Sequence, residues 1–83
     1  MQIMADTRLK TLRTDLRPKV SQETIAHMSH ITLNTYRNAE SGGNVSFTTA
    51  RAILAAINQL RRDPKRNLPV LTMDDLDLWD RIV

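Results

Sequence analysis

The sequence predicts an all-α protein, a compact five-helix bundle, and three observations carry that expectation. Apolar residues recur at three-and-four spacing through most of the chain, Ser or Thr stands where successive apolar runs would need a helix cap, and proline or paired glycine separates the runs. With 83 residues the chain is read as one domain, 1–83. A domain this small buries only about 60% of the surface its unfolded chain exposes, so a well-packed bundle or a dimer has to supply the stability. Cysteine is absent, which removes disulfides and thiolate metal sites as supplements and suits a cytoplasmic setting.

Asp6 or Thr7 is expected to cap the first helix, with Leu9, Leu12 and Leu16 on its inner side. Pro18 excludes helical geometry from the residue before it, so this helix should end near Leu16. Ser21 is the expected cap of a second helix reaching about Met28, with Ile25 and Met28 inward and Ala26 small enough to let another helix cross closely. Thr32 then caps the third. Counting about 100° per residue from Tyr36, Ala39 falls at about 300° and Leu33 at about 60°, whereas Asn34 and Asn38 fall at about 160° and 200°. One side of this helix is core and the other is amide.

Gly42 and Gly43 should end the third helix, and Ser46 should cap a fourth with Phe47, Ala50, Ile53, Leu54, Ile57 and Leu60 on one stripe. Residues 6–60 are thus the expected core. The stretch 61–70 combines two prolines with four basic residues and reads as a basic linker. Thr72 and Asp75 form a capping pair for a short acidic fifth helix over 72–83, with Leu76, Trp79 and Val83 as its apolar side, for packing or for a dimer.

Charge is unevenly distributed. Residues 1–70 hold eleven Lys/Arg against five Asp/Glu, and residues 71–83 hold Arg81 against four Asp. A basic body suits a polyanionic partner, because Lys and Arg near phosphates release condensed counterions. No run approaches the roughly 20 apolar residues of a membrane span, and Met1 to Leu9 has neither the basic start nor the apolar stretch of a secretory signal, so no membrane association is expected. Catalysis is not expected either: there is no glycine-rich phosphate loop, no cysteine and no evident nucleophile, base and carboxylate set. His27 and His30 stand three apart without a further ligand nearby in sequence, so neither a metal nor any other cofactor is expected.

Leu9, Leu12-Arg13, Ser21-Gln22-Glu23, Ala26, Ile31-Thr32, Glu40-Ser41-Gly42 and Ser46 together make residues 9–60 resemble the Xre/Cro family of phage-repressor-type helix-turn-helix proteins. The resemblance implies that Leu33, Asn34, Arg37 and Asn38 face base edges in a DNA major groove, that Gln22 and Thr32 lie near phosphates, and that Arg13 and Glu40 form a salt bridge tying the first helix to the end of the third. The chemistry of the side chains agrees. Asparagine can donate and accept at once, matching adenine N6 and N7, and leucine can cover a thymine methyl. Arg37 could pair with guanine but points only about 100° from the core, where a phosphate is the favoured partner. The competing reading of Asn34 and Asn38 is plain solvation, with Asn38 helping to end its helix. Thr35, Arg17, Lys19, Asn44 and Ser46 are further phosphate candidates, and Gln22 could instead brace Asn34.

Two departures from the family pattern stand out. The loop from Thr14 to Lys19 is two residues longer than the common form, and Met28-Ser29-His30 replaces an apolar residue followed by glycine. Ser29 then occupies an apolar slot, and His30 has to take a left-handed backbone. The implied function is a double-stranded DNA-binding transcriptional regulator, a repressor acting as a homodimer through the residues after Leu60. The alternative is an antitoxin-like or accessory module that binds a protein partner through its C-terminal segment.

Overall fold

Four α-helices form in the computed structural model, which describes residues 7–83: α1 (Arg8–Thr14), α2 (Gln22–Met28), α3 (Leu33–Glu40) and α4 (Phe47–Arg62). Each begins on a hydroxyl. Thr7, Ser21, Thr32 and Ser46 hold extended backbone, and their side chains accept from the N–H groups of Lys10, Thr24, Thr35 and Thr49. In the last three helices that donor residue is itself a threonine, whose hydroxyl lies 2.8–2.9 Å from the cap's, so a Ser/Thr-x-x-Thr pair fixes each start. Asp6, the other expected cap of α1, lies outside the described residues.

α1 stops at Thr14, two residues short of the expected end, yet Leu16 is buried because the following loop folds it beneath the helix. α2 and α3 end alike. After α2 the N–H groups of His30 and Ile31 donate to the carbonyls of His27 and Ala26 at 3.1 Å each. After α3 those of Gly42 and Gly43 donate to Ala39 and Asn38 at 3.4 and 2.9 Å. The left-handed residue of the first pair is His30 (φ 58°) and of the second Gly42 (φ 97°). Ser29 is buried in its apolar slot, where its hydroxyl donates to the Ala52 carbonyl at 3.4 Å. The distortion expected at this bend is therefore absorbed by one strained histidine and one marginal hydrogen bond.

Leu9, Leu16, Ile25, Tyr36, Ile53, Ile57, Leu76 and Leu78 are the largest fully buried side chains. Two expectations about α4 are corrected. Phe47 is 45% exposed instead of lying on the buried stripe, and the helix runs on to Arg62, taking the first two residues of the expected linker. The rest of that linker is held by arginines: Arg61 Nε donates to the Pro69 carbonyl and Arg66 Nη2 to that of Pro18, each at 2.8 Å.

The expected fifth α-helix is absent. Its capping pair forms, Thr72 donating through its N–H and hydroxyl to Asp75 Oδ2 at 2.8 and 3.1 Å, but only two 3-10 turns follow, Asp74–Leu76 and Trp79–Arg81. The reason lies in the spacing of the buried residues. Leu76 and Leu78 are both buried, and residues two apart on an α-helix point about 200° from one another. A left-handed Asp77 (φ 57°) between the turns brings both inward. Trp79 and Val83, placed with Leu76 on one apolar side by the sequence reading, are instead 51% and 83% exposed.

This C-terminal segment covers the chain's own core, and of the three residues assigned to packing or a dimer Leu76 is fully buried there. Asn58 binds the Leu71 backbone twice, donating to its carbonyl at 2.9 Å and accepting from its N–H at 2.7 Å. At the far end Val45 and Ile82 form a parallel bridge, with Val45 N–H donating to Arg81 at 2.9 Å and Val83 N–H to Val45 at 3.0 Å. No helix among the described residues is long and apolar enough to cross a membrane.

Candidate nucleic-acid interface

The inner side of α3 is organised around one carboxylate. Glu40 ends the helix with a side chain only 2% exposed, against 13% for its partner Arg13. Arg13 approaches in a fork, Nε to Oε2 at 2.5 Å and Nη2 to Oε1 at 3.2 Å. The Tyr36 hydroxyl donates to Oε2 at 2.5 Å and Gln22 Nε2 to Oε1 at 3.0 Å, so each oxygen receives two donors. Arg13 Nη1 continues to the Val20 carbonyl at 2.9 Å. The salt bridge implied by the family resemblance is present, and Gln22 and Tyr36 enlarge it into a junction of α1, α2 and α3.

Electrostatics follow from that geometry. Burial by itself would raise the Glu40 pKa, but the hydrogen bonds from Arg13, Tyr36 and Gln22 and the guanidinium charge outweigh it and hold the carboxyl below its ordinary value. Burial, then the bond to Glu40, pushes the Tyr36 hydroxyl well up, and the bond to Glu40 raises Arg13. The carboxylate stays charged and the phenol neutral throughout the physiological range.

The outer side of α3 differs. Asn34, Thr35, Arg37 and Asn38 are exposed, while Leu33 is half-buried. No hydrogen bond among the described residues engages the Asn34 side chain. Asn38 is committed: Nδ2 donates to the Asn44 carbonyl at 2.9 Å, and its Oδ1 lies where a Cβ on Gly43 would stand, so a side chain at Gly43 would have to displace this amide. Of the two amides placed at the base edges, one is free and the other braces the connection from α3 to α4.

The phosphate candidates are similarly divided. Gln22 braces Arg37, whose Nε donates to Gln22 Oε1 at 3.4 Å, and not Asn34, one of the two roles the sequence allowed it. Thr32 and Ser46 are exposed caps, Thr35 pairs with Thr32, and Asn44 is exposed beside Asn38. Arg17 turns back to donate to the carbonyls of Thr14 and Leu16 at 2.6 and 2.8 Å, and with Lys19 and Arg13 it frames a cleft of about 310 Å³. Among the described residues no three potential metal ligands come together, and His27 and His30 are both exposed.

One contributor was missed in the sequence. Arg81 reaches back from the last turn, its Nη1 donating to the Ala39 carbonyl at 2.6 Å and to that of Gly43 at 3.3 Å. A cation at the carbonyl end of a helix is favourable, but contact across 42 residues leaves no local signal. No family model, curated protein or solved structure matches the chain, so the reading of this surface rests on its own residues.

Proposed function

We propose that this chain is a sequence-specific double-stranded DNA-binding regulator, a repressor of helix-turn-helix type, with α2 and α3 as the two helices and α3 entering the major groove. One observation carries the reading: α3 presents an exposed row of amide and hydroxyl groups on a helix whose opposite side is locked by a buried four-donor carboxylate. Base readout needs polar groups held in fixed positions, and that combination supplies them.

Within this reading Asn34 is the principal base reader, with Leu33 beside it for a thymine methyl. Asn38 positions the turn into α4, and Arg37, steered by Gln22, meets the backbone. Thr32, Thr35, Asn44 and Ser46 offer hydroxyl and amide donors to phosphates, and Lys19 adds charge. The chain is read as a binder and not an enzyme: among the described residues the one deeply buried carboxylate, Glu40, is consumed by four structural donors. A single helix reads few base pairs, so two copies act together on a two-fold symmetric site with half-sites about 34 Å apart or a multiple of it.

The test is affinity on a preferred duplex and on a scrambled one. Asn34→Ala is expected to weaken the preferred duplex by about 1–3 kcal/mol and leave the scrambled one unchanged, both falling steeply with added salt. Equal affinities of the variant and the parent protein for both duplexes would remove Asn34 from base readout.

A further inference from the structure

Charge of one sign gathers around a single cleft. Arg13, Thr14, Arg17, Lys19 and Val20 line about 310 Å³ where α1 gives way to the loop before α2, the loop whose length departs from the family pattern. Asp15, the one carboxylate of that loop, is not among the lining residues. The cleft is preformed, because arginines fasten the loop by its carbonyls: Arg13 Nη1 to Val20 at 2.9 Å, Arg17 Nη1 to Thr14 and Leu16, and Arg66 Nη2 to Pro18 at 2.8 Å. Donors are left over. Arg17 spends only Nη1 on those bonds, and no hydrogen bond or ion pair among the described residues engages the Lys19 ammonium. The cleft beside Arg8 and Arg81 holds Asp77 and Asp80 as well, so there the charges cancel.

We propose that this cleft binds a small phosphate monoester, and that its occupancy weakens the hold of α3 on DNA; the second half rests on the DNA-binding reading above. Charge selects the ligand. Arg13, Arg17 and Lys19 contribute three positive charges and the buried Glu40 behind Arg13 takes up one, which leaves two. A phosphate monoester carries nearly two negative charges at neutral pH, whereas a carboxylate or the phosphodiester of a DNA backbone carries one. The walls agree with that choice. About 310 Å³ holds a phosphate with a compact organic group, for which Val20 and the arginine stems supply apolar lining.

Arg13 makes the coupling. The guanidinium that lines the cleft is the one that forks onto Glu40 at 2.5 and 3.2 Å, and Glu40 holds the orientation of α3. A bound phosphate and the Glu40 carboxylate are rivals for that guanidinium, so occupancy loosens the α1 side of the junction. It also cancels the charge that Lys19 lends to DNA binding. Both effects have the same sign, and by linkage DNA lowers the affinity for phosphate by the same factor.

Phenyl phosphate and its methyl diester are the probes, titrated at constant ionic strength into the parent protein and followed by amide chemical shifts. Phenyl phosphate is expected to saturate with shifts centred on Thr14 to Val20, and the diester to bind about tenfold more weakly. Lys19→Gln should lose about tenfold on phenyl phosphate with unchanged circular dichroism. On the preferred duplex, phenyl phosphate should weaken binding severalfold and then level off, because both ligands can be held at once. No saturable binding at millimolar probe overturns the proposal, as does a diester that binds equally well or a folded Lys19→Gln protein that keeps its phosphate affinity. Should Lys19→Gln fail to fold, the shifts decide: a response centred outside residues 13–20 removes the site. A duplex affinity that does not change overturns the coupling, and so does one that falls without levelling off, since the DNA backbone then occupies the cleft itself. A protein that binds phenyl phosphate as described but no duplex keeps the site and defeats the DNA reading instead.

Discussion

The two sides of α3 are built on opposite terms. Inward, the side chains of Tyr36 and Glu40 have every polar atom engaged and almost no exposure; outward, the exposed Asn34 side chain has no hydrogen-bond partner among the described residues. The contrast teaches that a buried polar junction here serves position more than stability. A desolvated ion pair roughly cancels its own gain, but four donors converging from α1, α2 and α3 allow one orientation of the helix. The outer amides then lie where the junction holds them.

Breaking the inner side gives the largest expected effect. Glu40→Ala leaves Arg13 without its counter-charge and the Tyr36 hydroxyl without an acceptor, and should lower unfolding free energy in urea by about 3–5 kcal/mol. The same carboxylate sets an acid limb. Its folded pKa lies below the unfolded value of 4.5, so its contribution is fully present above that pH and is lost as pH falls through the folded pKa. Unfolding free energy of the parent protein should therefore drop on acidification below 4.5, and Glu40→Gln should flatten that slope; an unchanged slope would mean that other carboxylates dominate it.

Changes on the outer side should separate the two asparagines. Asn38→Ala removes the bond to Asn44 and should cost about 0.5–1.5 kcal/mol of stability. Asn34→Ala should stay within about 0.5 kcal/mol of the parent protein while weakening DNA binding. Reversed stability effects would exchange their roles. A gain is expected at the turn that precedes α3. His30→Gly relieves a left-handed residue at the position glycine holds after α3, and should raise stability by about 0.5–1 kcal/mol in the same urea titration, the gain being reduced by the greater freedom of glycine in the unfolded chain.

What the sequence made legible is local. Thr7, Ser21, Thr32 and Ser46 announce their helices because a cap acts within three residues, and Gly42 marks its turn because the left-handed backbone favours glycine. The separation of Tyr36 and Ala39 from Asn34 and Asn38 follows from helical period alone. Tertiary demand decided the rest. The pattern of Leu76, Trp79 and Val83 suits a helix, but the core takes Leu76 and Leu78, and the chain breaks at Asp77 to provide both. Phe47 fits the α4 stripe by spacing and is exposed because the stripe begins to be covered only from Ala50. Asn38 satisfies the chemistry of adenine and of a loop brace equally, and Asn44, six residues on, takes the donor.

Selection of bound duplexes from a random pool, with the mass of the bound complex measured, tests the central claim most directly. A two-fold symmetric sequence carrying two chains, enriched by the parent protein and lost from the selection with Asn34→Ala, is the predicted result. A folded protein that enriches no sequence above the unselected pool would contradict it.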